Sequence, residues 1–487
     1  MEENEYVVSI EELHARKAVK RVESQAIGPS HDQNKKKAAV DSLKEKLKTL
    51  LEQRDNSTTT PQQPKIQRVV PMLRYKENFE KHYEPRAVSI GPIHHGKSRL
   101  QIAEKYKPKL VRKFIQDNRT DGEVLCMKVL EDIKELRNCY EEEVTESYDD
   151  ESLAWIFFLD GCSTLQFIHS FKMGGELKQY FNIKNDQIAF AQQDLFLLEN
   201  QLPYRLLKLL MNSTGSNCDE YKKSIKLFIG STSTAPEKLR HKIIPDMDGK
   251  PEPAHLLDLL QSALLSQPRE TTHDDDDKKE ENYRRQSFRN IQELKEAGIQ
   301  FKPSSSCSLR DIDFNSLCFA GFLKLPPLTV DDSTEPLLLN LIAYEMCPDN
   351  SQTDYGVTSY VCFLDELIDS AEDVKHLRSA NILQNSLGSD AEVAKLFNDI
   401  GTDLVPHPEA YMKVKDRIQK HYENRWMTWM AEAYYKHFST PWTILAFIAA
   451  LIALALSSVQ TWMAVSSWRS ARPCDELCKN FTMHRKP

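Results

Sequence analysis

The stretch Leu195–Met211 reads LFLLENQLPYRLLKLLM, a leucine-rich run interrupted by a short polar group. Pro203 breaks or kinks any helix through it, because proline lacks the backbone N–H and its ring clashes with the preceding turn. Glu199, Asn200 and Gln201 are polar within this apolar run. Since buried polar groups must be hydrogen-bonded, we expect these three side chains to form a buried network that fixes helix packing. A ligand-binding role is the alternative.

Helical spacing of apolar residues dominates the chain on both sides of this run. Predicted helical stretches are Leu100–Asp117, Gly122–Glu143, His255–Leu265, Asn290–Gly298, Glu335–Met346, Thr358–Ser370 and the segment from Ser389 through Asn398. Leu323–Val330 contains two consecutive prolines and is at best extended. We therefore predict a mainly α fold, in which a large helical domain carries a few short strands.

Composition excludes several classes of protein. The chain has 487 residues, of which 40% are hydrophobic and 28% charged, as in ordinary folded proteins. A net charge of −8 argues against a nucleic-acid-binding coat. There are 15 glycines against 23 prolines, so glycine-rich phosphate-binding folds are disfavoured. The ten cysteines form no C-x-x-C pair and no metal-ligand spacing.

The C-terminal end carries a membrane signal. Ile444–Val465 reads ILAFIAALIALALSSVQTWMAV and contains no charged residue. As a helix it would extend about 33 Å, which matches the hydrocarbon core of a bilayer. We predict one transmembrane helix over residues 441–466, contacting the membrane through residues 444–465, followed by a short basic tail over residues 467–487.

The remaining boundaries follow from composition. Residues 1–66 are predicted to form a variable, partly disordered extension with one amphipathic helix. Residues 67–440 would form the helical domain, with a charged loop insertion at about 268–287.

The sequence leaves the side of the membrane open. The basic tail favours a cytoplasmic C-terminus, whereas the lack of an apolar N-terminal segment favours a cytosolic main domain. We expect a single-pass protein of the plasma membrane or an endomembrane. Candidate N-glycosylation sites are Asn56, Asn118, Asn212 and Asn480.

One segment formally matches a phosphate-binding loop. Gly91-Pro-Ile-His-His-Gly-Lys-Ser98 satisfies G-x-x-x-x-G-K-[ST], so the candidate nucleotide-binding residues are Gly91, Gly96, Lys97 and Ser98. Ala87–Ile90 could be the preceding strand, and Trp155–Asp160 resembles the apolar run that ends in a Mg²⁺-binding aspartate. The inner loop residues are bulky, however, and the chain does not alternate strands and helices as a parallel sheet requires.

Other chemistry finds little support in the residues. The adjacent His94 and His95 should point apart, so a structural role is expected and no metal site. Cys162 is predicted to be a packed core thiol, since His169 is too far along the chain to activate it. Asp160 is expected to cap a helix that starts there. We therefore predict no catalytic residue, no resident cofactor and no nucleic-acid partner.

A series of motifs in order resembles one known family. The matching segments are Val70–Arg74, Tyr83-Glu-Pro-Arg-Ala-Val-Ser-Ile-Gly-Pro-Ile-His-His-Gly96, Leu159-Asp-Gly-Cys162, Asp194-Leu-Phe-Leu-Leu-Glu-Asn-Gln-Leu-Pro203, His255–Leu260, Leu294–Lys302, Asn340–Cys347, Thr358–Val361 and Leu387–Asp390. They resemble the plant-specific domain-of-unknown-function family 247, also called uncharacterised protein family 0481. The resemblance covers roughly residues 68–470.

The resemblance implies a plant-specific protein that associates with membranes through its C-terminal helix. Some members of the family act in reproduction and self-incompatibility, and the resemblance supplies no catalytic residues. It also implies that the motif residues hold the scaffold. These residues are Tyr83, Glu84, Pro85, Gly91, Pro92, His94, His95, Gly96, Asp160, Gly161, Cys162, Glu199, Asn200, Gln201 and Pro203.

The functional hypothesis is a non-enzymatic, membrane-anchored recognition or signalling protein with a protein partner. Its specificity would come from surface loops, such as the segments around Cys218 and Asp274. The alternatives are a nucleotide-binding enzyme that uses the loop Gly91–Ser98, and a cytosolic tail-anchored adaptor with the same fold.

Overall fold

The computed structural model describes residues 40–48, 65–75, 78–173, 175–243, 252–266, 290–317, 320–348, 355–423 and 441–470. The chain divides into two compact units, residues 1–62 and 63–487. In the first unit, residues 40–48 are helical and exposed. Four predictions fall outside the described residues: most of the N-terminal extension, the charged insertion, most of the basic tail, and the glycosylation sites Asn56 and Asn480.

The second unit is mainly α-helical, which confirms the predicted fold class. Its first helices are α1 Pro71–Arg74, α2 Phe79–Tyr83, α3 Gln101–Glu104, α4 Lys107–Asn118, α5 Gly122–Glu131, α6 Ile133–Arg137, α7 Glu142–Thr145, α8 Asp150–Lys172, α9 Glu176–Gln179, α10 Asn185–Asp194, α11 Tyr204–Asn212, α12 Cys218–Thr232 and α13 Leu256–Leu264. Those that follow are α14 Ile291–Glu296, α15 Thr334–Glu345, α16 Gly356–Leu367, α17 Ala371–Ser379, α18 Asp390–Gly401, α19 Met412–Glu423 and α20 Pro441–Ser470. Short 3₁₀ turns cover Ser98–Leu100, Gly215–Asn217 and Glu237–Lys242.

Helix α8 forms the centre of the N-terminal half. It is apolar on nearly all sides, and it packs against α4, α5, α11 and α12. A helix that is apolar all round must be buried by neighbours on every face. Asp149 fixes where α8 begins, because its side chain accepts a hydrogen bond of 2.7 Å from the backbone N–H of Ser152.

The strands form two small sheets in the C-terminal half. In the first, β3 (Ala320–Leu325) lies between β1 (Ile299–Pro303), which runs parallel to it, and β2 (Asp313–Leu317), which runs antiparallel. In the second, β4 (Leu328–Val330) pairs in parallel with β5 (Leu383–Asn385). Because these strands are short, packing between helices determines most of the fold.

Buried apolar side chains from Ile66 to Ile418 form one contiguous core. The helices of the C-terminal half join this core through their apolar faces, as α15 and α16 do when they pack against each other. Helix α20 is different, since the most apolar window of its span Leu445–Trp468 has a mean hydropathy of 1.9 and is not buried. It is long and apolar enough to cross a membrane.

Candidate functional site

The segment of residues 84–97, here called the motif loop, is held by side chains rather than by a neighbouring strand. The buried carboxylate of Asp194, at the end of α10, accepts three backbone hydrogen bonds from it. They come from the N–H groups of Arg86 (3.0 Å), Ala87 (2.6 Å) and Val88 (2.9 Å). A single carboxylate therefore fixes three consecutive residues of the loop.

Asn200 holds the next residues of the motif loop. Its Oδ1 accepts a hydrogen bond of 2.7 Å from Ile90 N–H, and its Nδ2 donates to the carbonyl oxygens of Val88 (3.1 Å) and Asp194 (2.9 Å). The prediction of a strand over Ala87–Ile90 is wrong, because side chains take the N–H groups that a neighbouring strand would need.

The next residue, Gly91, contacts a buried ion pair. Its N–H donates a hydrogen bond of 2.9 Å to Asp160 Oδ2. The other carboxylate oxygen of Asp160 lies 2.6 Å from Lys107 Nζ, which also lies 2.7 Å from Glu104 Oε1. The side chains of Asp160 and Lys107 are only 1% and 2% exposed. Burial opposes the charge of Lys107, but the two carboxylates outweigh it and hold its pKa above the usual value.

The role predicted for Asp160 as a helix cap is wrong, and the apolar run Trp155–Asp160 is part of a helix. Asp160 lies in the middle of α8, ten residues after its first residue Asp150, and Asp149 caps that helix instead. The apolar run is helical because α8 is surrounded by other helices rather than inserted into a sheet. Asp160 directs its carboxylate out of the helix toward the motif loop.

Glu199 anchors a different part of the chain. Its Oε1 accepts a hydrogen bond of 2.7 Å from the backbone N–H of Val69 and also contacts the guanidinium of Arg74. Its Oε2 lies 3.4 Å from His94 Nε2. Burial lowers the pKa of His94 to about 3, so the imidazole is neutral at pH 7 and its contact with Glu199 is not an ion pair.

Gln201 completes the polar group. Its Nε2 donates to the carbonyl oxygens of Leu195 and Leu197, at 2.8 Å each, and its Oε1 accepts from the N–H of Leu257 at 3.2 Å. Its own carbonyl oxygen accepts a hydrogen bond of 2.9 Å from the hydroxyl of Tyr140. The three polar residues of the Leu195–Met211 run thus connect the motif loop, the segment near Val69 and helix α13.

The candidate nucleotide-binding residues do not converge. Lys97 Nζ lies 3.1 Å from Glu84 Oε2, and Ser98 begins a 3₁₀ turn at the surface. Gly96 is exposed, while the N–H of Gly91 points inward to Asp160. A phosphate-binding loop presents its backbone N–H groups to the ligand. This geometry does not favour the nucleotide-binding alternative.

The other motif residues take packing positions. Tyr83 is buried and stacks on Phe79 with ring centroids 5.0 Å apart. Cys162 is fully buried, and burial raises the pKa of its thiol well above the usual value. Gly161 lies so close to α11 that a Cβ there would come within 2.5 Å of Leu210 Cδ1. The remaining motif residues are also placed: Pro85 and Pro203 are buried, the carbonyl oxygen of Pro92 accepts a hydrogen bond from Tyr148, and His95 is exposed with its ring edge near Tyr148.

Sequence reasoning did not single out four residues that hold this site: Lys107, Tyr140, Asp194 and Asn340. Lys107 had a detectable signal, since it occupies the apolar face of α4 at helical spacing from Leu110, Val111 and Phe114. Asn340 had none. Its Oδ1 accepts from Leu198 N–H at 2.9 Å, a partner 142 residues away in sequence.

The described residues offer no assembled catalytic group. No cluster of three or more potential metal ligands occurs in the described ranges. His169 Nδ1 lies 3.2 Å from Ser224 Oγ, but that hydroxyl donates to the carbonyl oxygen of Glu220. The serine proton is therefore already engaged, and the pair lacks the arrangement of an activated nucleophile.

Asp194 gives the domain a pH dependence that can be measured. Burial raises its pKa to about 6, against the opposing effect of its hydrogen bonds from the loop. Because an unfolded aspartate titrates near ~3.9, the unfolded chain loses this proton first as pH rises. The protonated Asp194 side chain therefore stabilises the folded state below about pH 4. This contribution to the free energy of unfolding is lost by about pH 6, a change of about 3 kcal/mol.

Urea unfolding of the wild type and of Asp194→Asn from pH 4 to 7 tests this expectation. The wild type should lose stability relative to the variant as pH rises, because asparagine carries no titrating proton. A difference between the two proteins that stays constant over this pH range would contradict it.

Comparison with known proteins agrees with the motif series. The family described as "Plant protein of unknown function" (DUF247) matches residues 66–456. The UPF0481 protein At3g47200 of Arabidopsis thaliana is 26% identical over 428 residues, covering 82% of this chain and 86% of that protein. A second UPF0481 protein of Arabidopsis thaliana, At3g02645, is 31% identical over 179 residues, covering 37% of this chain and 33% of that protein. No solved structure matches the chain significantly. With the family match extending from the segment before the motif loop into α20, this chain belongs to the DUF247 (UPF0481) family of plant proteins of unknown function.

Proposed function

We propose that this protein is a membrane-anchored, non-enzymatic component of recognition or signalling. The observation that carries the proposal is the 24-residue span Leu445–Trp468, whose most apolar window has a mean hydropathy of 1.9 and is not buried. An unburied helix of this length and composition is stable in a bilayer rather than in water. The helical domain would then be held at a membrane surface.

The contacts of the buried polar residues support a non-enzymatic role. Asp194, Asn200 and Glu199 bind backbone groups of the motif loop and of the segment before it. Glu345 does the same farther along, accepting from the N–H groups of Val357 and Thr358 at 2.8 Å each. Polar groups engaged in this way hold the scaffold, which leaves exposed segments for contact with a protein partner.

The surface around Cys218 is one such segment. A 3₁₀ turn over Gly215–Asn217 leads into α12 there, and the side chain of Asp219 is 93% exposed. The other segment predicted to carry specificity, around Asp274, lies outside the described residues. Some relatives act in reproduction and self-incompatibility. We include these two processes in the proposal as candidates for the process in which this protein acts.

The two glycosylation sites within the described domain differ in accessibility. Asn118 Nδ2 donates both to the carbonyl oxygen of Phe114 (2.7 Å) and to the hydroxyl of Tyr221 (2.9 Å). A glycan on this nitrogen would replace one of the two donating hydrogens. Asn212, at the end of α11, is exposed. A folded domain outside the cytosol should therefore carry its glycan at Asn212.

If the domain lies outside the cytosol, glycosidase treatment of the full-length protein from plant cells should reduce its apparent mass. In an Asn56→Gln background, which removes the other candidate site on the same side of the membrane, Asn212→Gln should abolish that reduction, while the matched variant Asn118→Gln should retain it. A glycan confined to Asn480 would place the domain in the cytosol and favour the tail-anchored adaptor.

A nucleotide-dependent rise in melting temperature that Lys97→Ala removes would overturn the non-enzymatic proposal.

A further inference from the structure

A cavity of about 200 Å³ lies between the motif loop and helices α3, α4, α8 and α10. Its walls are largely apolar. The main apolar side chains that line it are Ile102, Leu110, Phe167, Ile183, Phe190 and Leu195. Two of them mark its mouth, since Ile102 is 58% and Phe190 39% exposed. The cavity is therefore reachable from the surface and is not a packing defect sealed in the core.

The volume sets the size of an occupant. An engineered apolar cavity of about 150 Å³ holds benzene and excludes water. A cavity of about 200 Å³ thus has room for one aromatic ring with a few additional atoms. Apolar walls of this kind favour a ring or a short hydrocarbon over a sugar or a nucleotide.

One polar side chain in the wall of the cavity has a hydroxyl without a partner among the described residues. Thr164, on α8, lines the cavity and is 3% exposed, and its buried Oγ1 makes no hydrogen bond within the described part of the chain. A buried hydroxyl without a partner is unfavourable. An occupant that presents a hydrogen-bonding group to Thr164 would remove this cost, which an entirely apolar molecule could not do.

The charges around the cavity are positive. Arg86, Arg99 and Lys107 line it, and among the described residues no carboxylate does. Lys107 is neutralised by Asp160, and Arg99 is paired with Glu84.

Arg86 differs from the other two cations, because no carboxylate of the described residues forms a close ion pair with it, although its positive charge favours the ionised form of the nearby buried Asp194. Its guanidinium donates to Gln193 Oε1 and lies over the ring of Phe190, 4.4 Å from the ring centroid. Stacking on a residue at the mouth places a positive charge where an anion would enter.

We propose that this cavity binds a small aromatic carboxylate with a hydrogen-bonding substituent on its ring. The ring lies among the apolar walls, the substituent meets Thr164, and the carboxylate meets Arg86 at the mouth. This ligand site goes beyond the proposed recognition role and does not depend on it, because it rests on the geometry of the helical domain alone.

The test uses the full-length protein in lipid nanodiscs and ligand-observed NMR titration against empty nanodiscs. Three probes separate the contacts: 4-hydroxyphenylacetate, phenylacetate and 4-hydroxyphenylacetamide. We expect 4-hydroxyphenylacetate to bind most tightly. Loss of the hydroxyl or of the charge should each weaken binding about three- to tenfold, as expected for one hydrogen bond.

Single substitutions assign each contact. Thr164→Val should remove the advantage of 4-hydroxyphenylacetate over phenylacetate, and Arg86→Gln should remove its advantage over the amide. Arg112→Gln serves as the matched control, since it removes a positive charge from an exposed position of α4 that does not line the cavity. It should leave both preferences unchanged.

Two results would overturn the proposal. One is the absence of saturable binding above the empty nanodisc for all three probes. The other is unchanged binding in Ala103→Leu, which adds side-chain volume to a residue that lines the cavity. Circular dichroism melting of Ala103→Leu checks that this variant remains folded.

Discussion

Replacing Lys107 by methionine should lower the free energy of unfolding by about 3–5 kcal/mol. The substitution keeps the length and the apolar stem of the side chain but removes its charge. Asp160, which is 1% exposed, then has no opposing charge 2.6 Å away. A carboxylate left unpaired in the interior must either remain charged at high cost or take up a proton, and both destabilise the native state.

The matched control is Lys113→Met, on the same helix. Lys113 Nζ lies 2.6 Å from Asp117 Oδ1, but these side chains are 19% and 34% exposed. Because solvent screens such a pair, its loss should cost less than about 1 kcal/mol. Adding Asp160→Asn to Lys107→Met should recover part of the stability, since asparagine can still accept the Gly91 N–H. Urea unfolding of the four proteins tests the set, and equal losses for Lys107→Met and Lys113→Met would contradict the argument.

The helices were predictable because their signals are local. Apolar spacing predicted Glu335–Met346, and the structure has α15 at Thr334–Glu345. Ser389 was expected to open a helix, and its side chain accepts the N–H of Glu392 at the start of α18. Each signal lies within one helical turn of the residues it affects, so no knowledge of distant contacts is required.

The site was less predictable because its partners are distant in sequence. Asp160 was predicted to cap a helix that starts there, whereas its contacts are 69 residues away at Gly91 and on another helix at Lys107. Local propensity favours a turn at Asp-Gly, but burial of α8 among its neighbours overrides it. The polar group after Leu198 was identified as buried, while its partners required the structure.

Gly91→Ala should lower the free energy of unfolding by about 3 kcal/mol or more. Gly91 has a φ of +70°, a conformation that L-residues adopt at a cost. An added Cβ would also lie 2.9 Å from the carbonyl oxygen of Gln201 and 3.0 Å from the hydroxyl of Tyr140. The loop would have to move away, and that movement would lengthen the hydrogen bond from Gly91 N–H to Asp160.

Gly96→Ala separates these two effects. Gly96 has a similar φ of +78°, but no atom of the described residues lies within 4 Å of the position its Cβ would take. This variant should therefore show only the backbone cost, about 1–2 kcal/mol. The excess loss in Gly91→Ala over Gly96→Ala, measured by urea unfolding, reports how tightly the motif loop is packed against Gln201 and Tyr140. Equal losses would mean that the glycine at 91 is required for its dihedral angle alone, and that the close approach to Gln201 adds nothing to stability.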